Sequence, residues 1–182
     1  RLQAPAAAPE IPSRGFVKSA HGYLAPPASA GERRKQQVSV AAASERLQLL
    51  QPFAAWDGRD FERVPLLLKA KGKCTTDHIS PAGPWLRFRG HLDRISDNML
   101  NGAVNAFTGE AGKGLDQLSG ARGQAFAAIA RHYKAEGLRW VVVGDENYGE
   151  GSSREHAPQG IARQGFKAMI GESFSEIFLG NS

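Results

Sequence analysis

The chain has 182 residues, of which 41% are hydrophobic and 23% are charged, and its formal net charge is +5 at pH 7. These values are ordinary for a globular protein with one hydrophobic core. No uninterrupted apolar run approaches the roughly 20 residues that cross a bilayer, which argues against a membrane-spanning helix in this sequence. The basic balance permits an acidic ligand or nucleic acid, but a basic protein without a nucleic-acid function is the favoured interpretation.

Cys74 is the single cysteine of the chain. One thiol cannot form an internal disulfide, and iron–sulfur clusters are held by several thiolates. We therefore expect a structural or incidental role for Cys74, and no metal or cluster bound by this chain alone.

The amino-terminal part, residues 1–30, is rich in Ala, Pro, Ser and Gly and shows neither a helical nor an alternating period. Its prolines interrupt any long element. With the short basic run Glu32–Gln36, which resembles a solvated linker, it predicts an Ala/Pro-rich basic arm and linker over residues 1–46. The composition fits both an organelle-targeting remnant and an extended docking arm.

Packing is expected to start at Leu47, with an irregular segment that Phe53 and Trp56 pin to the core. A compact apolar run predicts a strand over residues 64–70, and Pro65 indicates either an edge strand or a position at the first residue of the strand. Residues 74–84 contain several Pro, Gly and polar residues and predict a loop. A short helix or turn is expected within residues 98–106.

The second half of the chain alternates strand and helix patterns. Apolar residues at helical spacing predict a helix within residues 124–136, ended by Gly137. A strand is predicted over residues 138–143, a helix over 153–163, a strand over 166–170 and a helical segment over 173–179. Strand, helix and strand in this order predict a parallel crossover and hence an α/β fold. Pro158 is tolerated only in the first turn of its helix.

The glycine-rich segment from Gly144 to His156 is the strongest candidate for a site, because it follows a buried strand and leads into a helix. A helix amino end offers unpaired N–H donors to an anion, and Arg154 offers a fork of donors that fits a carboxylate. The segment matches neither nucleotide-binding glycine pattern. Ser152 suits a base, since positive charge beside it favours an alkoxide. From the residues alone, an anion site and a capped helix with a tight glycine turn are about equally supported.

A second polar cluster comprises Asp77, His78 and Ser80, which are typical either of a turn or of a site. The segment Trp85–Gly90 follows it. If this segment is a strand, Arg87 and Arg89 face the same side, and burial there would require an anionic partner. A ligand carboxylate and Asp77 are both possible partners.

Both clusters resemble the carboxyl-terminal swivel domain of mitochondrial-type aconitases. The resemblance is carried by Lys71–Ser80, Gly83–Trp85, Phe88–Leu92 and Gly144–Ala157, and it extends to Ser44–Leu50, Trp56–Gly58 and Tyr23–Pro27. The end of the chain, Phe174–Asn181, is more similar to the small subunits of isopropylmalate isomerases.

The resemblance implies a swivelling β/β/α domain over residues 47–182, incomplete at its carboxyl terminus. It implies the small lobe of an aconitate hydratase (a lyase of the tricarboxylic acid cycle) in the mitochondrial matrix, acting on a tricarboxylic acid. Its four-iron four-sulfur cluster would lie on a partner lobe, so this chain alone is not expected to be active. By the same resemblance Ser152 removes the substrate proton, Asp77 is a second catalytic position, and the substrate-binding residues are Arg89, Ser153, Arg154 and Ser80.

Two alternatives remain open at this point. The chain could be a non-catalytic, aconitase-derived subunit of a larger mitochondrial complex, since an unfinished sheet would expose an edge and apolar surface to a covering partner. RNA binding, known from a cytosolic branch of aconitases, is the less favoured alternative, because the large lobes have no counterpart in this sequence.

Overall fold

The computed structural model describes residues 24–182 and, before them, residues 3, 6–8, 10, 13–15 and 22. The chain divides into two units, Arg1–Val38 and Ser39–Ser182. The first contains helix α1 (Ala30–Lys35), whose residues are all exposed and whose N-cap is the Ser29 side chain. The basic run is therefore mostly helical, and its residues are exposed, as a solvated segment requires. The arm and linker predicted for residues 1–46 fall partly outside the described residues, and the domain boundary at residue 47 stays a prediction.

The second unit combines a parallel three-stranded sheet and a short antiparallel pair with helices. Its strands are β1 (Leu66–Lys69), β2 (Lys113–Leu115), β3 (Arg122–Ala125), β4 (Trp140–Val143) and β5 (Phe166–Ile170). Its α-helices are α2 (Thr76–Ile79), α3 (Leu92–Ile95), α4 (Phe126–Ala135), α5 (His156–Arg163) and α6 (Glu176–Gly180), and its 3₁₀ helices are Gly83–Phe88 and Ser96–Asn98. The α/β class is confirmed. Within the described ranges, no helix is long and apolar enough to cross a membrane.

The parallel sheet has the order β1–β4–β5, and α5 connects its two neighbouring strands β4 and β5. This confirms the predicted strand–helix–strand unit. Trp140 and Val142, which point to the same face of the central strand, are fully buried, and Val141 and Val143 on the other face are partly buried. Strand β1 lies at the edge of this sheet, which is one of the two positions that Pro65 indicated, and the Pro65 carbonyl accepts a bond from the Val141 N–H at 3.1 Å.

Helix α4 supplies a large part of the core, because its apolar residues recur every three or four positions. Phe126, Ile129 and Tyr133 are buried on the face toward the sheet. Gly137 follows the helix with φ +72°, the left-handed conformation that ends many helices. The Tyr133 hydroxyl accepts a bond from the Gln117 N–H at 2.9 Å, so this buried phenol is satisfied.

The segment Trp85–Gly90 is not a strand, and the expectation of two arginines on one sheet face is wrong. Gly83 adopts φ +73°, and Pro84 follows at the start of a 3₁₀ helix. Proline suits this position because it lacks the N–H that a helix start leaves unpaired. Phe88 is buried by the helix, whereas Arg87 and Arg89 are both exposed.

Two further expectations differ from the structure. The predicted loop over residues 74–84 contains α2, which begins at a capping box: the Thr75 hydroxyl accepts from the His78 N–H, and the Thr75 N–H donates to His78 Nδ1 at 3.0 Å. Phe53 and Trp56 do not pin their segment, since they are 66% and 70% exposed. Its irregular backbone agrees with the prediction.

Candidate functional site

The glycine-rich loop leaves the carboxyl end of the central strand β4 and is tied to the α2 segment by its backbone. The Gly149 N–H donates to the Cys74 carbonyl at 2.7 Å, and the Thr76 N–H donates to the Glu150 carbonyl at 2.9 Å. Gly149 has φ +81°, and a Cβ there would lie 2.3 Å from the Phe178 ring. Glycine is required at this position both for its conformation and for the close approach of Phe178.

Arg154 is held by two groups of the α2 segment. Its Nη1 lies 2.6 Å from Asp77 Oδ1 and also donates to the Ser80 carbonyl at 2.8 Å. The Arg154 side chain is 14% exposed, while that of Asp77 is 61% exposed. The Ser80 hydroxyl donates to Asn98 Oδ1 at 3.2 Å, so only the Ser80 backbone contacts the arginine. The α2 segment thus fixes the guanidinium beside the loop.

A cavity of about 520 Å³ lies between the glycine-rich loop and the 3₁₀ helix. Arg89 borders it at the end of that helix, and the loop supplies Ser152, Ser153 and Arg154. The other residues that line it are Leu86, Gly90, Glu155, His156 and Gln159. Four of the six predicted site residues therefore share one cavity. Asp77 and Ser80 do not line it, and they reach it only through Arg154.

The cavity is electropositive, because two guanidinium groups line it and Glu155 is its one acidic residue. Within residues 24–182, the Arg89 side chain forms no ion pair or hydrogen bond, which leaves its donors available to a ligand. Burial lowers the pKa of His156, and the positive charges of Arg154 and Arg89 lower it further. A polycarboxylate has the chemistry that this arrangement can bind.

Ser152 is exposed in the loop and does not lie in the first turn of a helix. Helix α5 begins at His156 and not at Ser153, because residues 152–154 form a tight turn in which the Arg154 N–H donates to the Ser152 carbonyl at 2.8 Å. The positive environment of this hydroxyl therefore comes mainly from the arginines and less from the helix dipole, which falls off within a turn. Pro158 is the third residue of α5, inside the first turn as predicted.

Sequence reasoning missed His156 as a cavity residue. Its Nε2 atom is buried and has no hydrogen-bond partner among the described residues. The available signal was its position two residues after Arg154, where a short turn brings both side chains to one wall.

The described residues do not fit an iron–sulfur cluster. No group of three or more His, Cys, Asp or Glu side chains in the described ranges could hold a metal ion. Burial raises the pKa of the Cys74 thiol to about 12, so this cysteine stays a protonated core residue. The structure thus agrees with the expected structural role of Cys74.

Comparison with known proteins identifies relatives of this chain. It is 50% identical to a probable mitochondrial aconitate hydratase of Caenorhabditis elegans over 97% of this chain and 22% of the relative. It is 53% identical to the mitochondrial aconitate hydratase of Emericella nidulans over 92% of this chain and 21% of the relative. The chain therefore spans about a fifth of the length of the curated relatives it matches.

Among solved structures, a 3-isopropylmalate dehydratase from Methanocaldococcus jannaschii matches with a TM-score of 0.38 at 26% identity, over 63% of this chain and 53% of the other. The family model of the aconitase C-terminal domain matches residues 64–182, which include the whole cavity. The chain belongs to the family of aconitase C-terminal domains.

Proposed function

We propose that this chain is the small lobe of a mitochondrial aconitate hydratase and supplies its carboxylate-binding residues and its base. The observation that carries the proposal is that Arg89 and Ser152–Arg154, from segments far apart in sequence, line one electropositive cavity. The similarity to mitochondrial aconitate hydratases supports the reaction and the mitochondrial location.

In this proposal the two arginines bind carboxylates of a tricarboxylic acid. Arg154 is pre-oriented by Asp77 and Ser80, so little conformational entropy is lost when it binds. Arg89 has its donors unoccupied within the described residues and lines the same cavity from the end of the 3₁₀ helix. Two such contacts fix the orientation of the substrate beside Ser152.

Ser152 is the proposed base. Dehydration of citrate to aconitate removes a proton from one carbon and hydroxide from its neighbour, and hydration in the opposite orientation gives isocitrate. The Ser152 oxygen would take that proton, and the guanidinium charges around the cavity favour the anionic form that this step needs. Ser153 would donate a hydrogen bond to the substrate, and Asp77 would act by holding Arg154.

In aconitases a four-iron four-sulfur cluster polarises the leaving hydroxyl. The described part of this chain has no ligand set for it, so the proposal places the cluster on a partner lobe. Exposed apolar side chains support a covering partner: Ile170 and Leu179, on β5 and α6, are 64% and 63% exposed.

The experiment combines this chain with a cluster-bearing aconitase lobe and follows aconitate absorbance after citrate is added. The Ser152→Ala variant should lose about 10²- to 10⁴-fold in rate, because a positioned base contributes on that order. The matched control is Ser13→Ala, an exposed serine of the first unit, which should keep the wild-type rate. Equal rates for both variants would contradict the assignment of Ser152.

A non-catalytic subunit of a larger mitochondrial complex is the second candidate, and the exposed apolar surface of β5 and α6 favours it as well. Native gel analysis separates the two candidates. A stoichiometric complex with proteins other than a cluster-bearing lobe, together with no citrate binding, would support the second candidate and contradict the first.

A further inference from the structure

The His156 ring lies in the wall of the cavity beside Arg154, and its two nitrogens are in different environments. Nε2 is inaccessible to solvent and has no hydrogen-bond partner within the described ranges. Nδ1 also forms no hydrogen bond there, but it is not among the buried unpartnered atoms and so retains accessible surface. The imidazole therefore has one nitrogen sealed in the protein and one open to a ligand.

This asymmetry decides where the ring carries its proton. A proton on Nε2 would bury an N–H donor with no acceptor, which is costly in a protein interior. An imidazolium would bury the same donor and add a positive charge to a cavity that Arg154 and Arg89 already line. A single proton on Nδ1 buries an unpaired acceptor in place of an unpaired N–H donor, which proteins tolerate more often, and presents an N–H at the accessible side.

The charges around the ring favour the same neutral form. Burial lowers the pKa of His156, Arg154 and Arg89 lower it further, and Glu155 opposes them. The two arginines already supply the positive charge of the cavity. A neutral hydrogen-bond donor beside them can orient a bound anion without adding a third positive charge that would repel the two guanidinium groups.

We infer that His156 is a neutral hydrogen-bond donor, through Nδ1–H, to a carboxylate of the acid bound in this cavity. The identity of that acid rests on the proposed function, whereas the tautomer does not. His156 is thus a third group that recognises a carboxylate. It favours ligands that place a hydrogen-bond acceptor next to Nδ1.

Other histidines of the chain provide internal references for the tautomer. His78 Nδ1 accepts a bond from the Thr75 N–H at 3.0 Å, so His78 carries its proton on Nε2. His132 Nδ1 lies 2.7 Å from Asp116 Oδ2 and must donate to that carboxylate. His156 should resemble His132 at Nδ1 and differ from His78.

The first test is a long-range ¹H–¹⁵N spectrum of the chain labelled with ¹⁵N-histidine, at neutral pH and without ligand. We expect a protonated Nδ1 and an unprotonated Nε2 for His156, assigned by loss of its signals in His156→Asn. A protonated Nε2, or an imidazolium, would overturn the inference whether or not the chain binds citrate.

The second test compares citrate binding by His156→Asn and His156→Gln, since the Asn amide nitrogen lies near the position of Nδ1 and the Gln amide nitrogen near that of Nε2. His156→Asn should keep the citrate affinity within about threefold, and His156→Gln should lose roughly tenfold or more, the value of a hydrogen bond to a charged group. Equal losses would overturn the donor role in favour of ring packing. Absence of citrate binding by the wild-type chain would count against the proposed function. In that case the protonation of Nδ1 in the first test would decide whether His156 is a neutral donor.

Discussion

Arg154 and Arg89 line the same cavity but belong to segments of different construction. Arg154 is mostly buried and is fixed by Asp77 and the Ser80 carbonyl, in a loop whose backbone bonds to the α2 segment. Arg89 is exposed at the end of a 3₁₀ helix and has no polar side-chain partner within residues 24–182. The comparison indicates a cavity in which one arginine is preorganised by protein contacts and the other has its donors free within the described residues.

The largest expected effect is on the loop that carries the preorganised arginine. Gly149→Ala should lower the free energy of unfolding by about 3 kcal/mol or more, because the new methyl group would meet Phe178 and the left-handed φ would be strained. Gly137→Ala is the matched control: it has a similar φ but open space around it, and should cost only about 1 kcal/mol. Urea denaturation measures both. Equal losses would show that the Phe178 contact does not constrain the loop.

Arg154→Ala should reduce citrate affinity about 100-fold, since it removes charge-assisted hydrogen bonds to the ligand. It should also lower the free energy of unfolding, because the Ser80 carbonyl loses its donor. Calorimetric titration with citrate measures the first effect. Arg87→Ala, which removes an exposed arginine that does not line the cavity, is the control and should bind citrate like the wild type. A similar loss of citrate affinity in both variants would mean that the net charge of the chain, and not the position of Arg154, determines binding.

Arg89→Ala should separate binding from stability. Citrate affinity should fall about tenfold, while the free energy of unfolding should change by less than about 0.5 kcal/mol, as for other exposed side chains without partners. The same titration and urea denaturation test it. A stability loss as large as that of Arg154→Ala would contradict the difference between the two arginines.

The contact between Asp77 and Arg154 should give a smaller effect. A double-mutant cycle of Asp77→Ala and Arg154→Ala should show a coupling of about 0.5–1 kcal/mol in unfolding, because Asp77 is largely exposed and solvent weakens the pair. Additive losses would mean that Asp77 does not hold the arginine.

The smallest effect concerns pH. The pKa of His156 is lowered in the folded chain, so the unfolded chain takes up this proton first as the pH falls through about 6.5. His156 should therefore reduce stability on acidification from about pH 7 to about pH 5. Urea denaturation at both values should show a smaller decrease in His156→Asn, which keeps all other titratable groups. An identical decrease in the free energy of unfolding of the wild type and His156→Asn would contradict a lowered pKa of His156 in the folded chain.

Regular patterns made much of the fold predictable. The residues of β5 were predicted to the residue, and α4 and β4 lie inside their predicted ranges, where buried apolar residues recur at the period of a helix or a strand. The 3₁₀ helix at Gly83–Phe88 was missed, since the alternation of Arg87, Phe88 and Arg89 also fits a strand and only Gly83 and Pro84 specify the turn.

Four residues that line the cavity were picked out from the sequence, but the geometry of the cavity was not. The motif identified Arg89 and Ser152–Arg154, yet no local pattern indicates that Asp77 and the Ser80 carbonyl both bond to Arg154. That arrangement depends on hydrogen bonds between the loop and the α2 segment, which are distant in sequence. His156 was missed for a similar reason, because the burial of one ring nitrogen is a property of packing.

The central claim is that Arg89 and Arg154 bind the same citrate molecule. The most direct measurement follows the side-chain Nε–Hε signals of Arg89, Arg154 and Arg87 in ¹H–¹⁵N spectra of the chain during a citrate titration, each signal being assigned by an Arg→Lys variant. The account predicts that the signals of Arg89 and Arg154 shift together with one dissociation constant while that of Arg87 stays in place. Separate dissociation constants for the two cavity arginines, or a shift of only one of them, would contradict it.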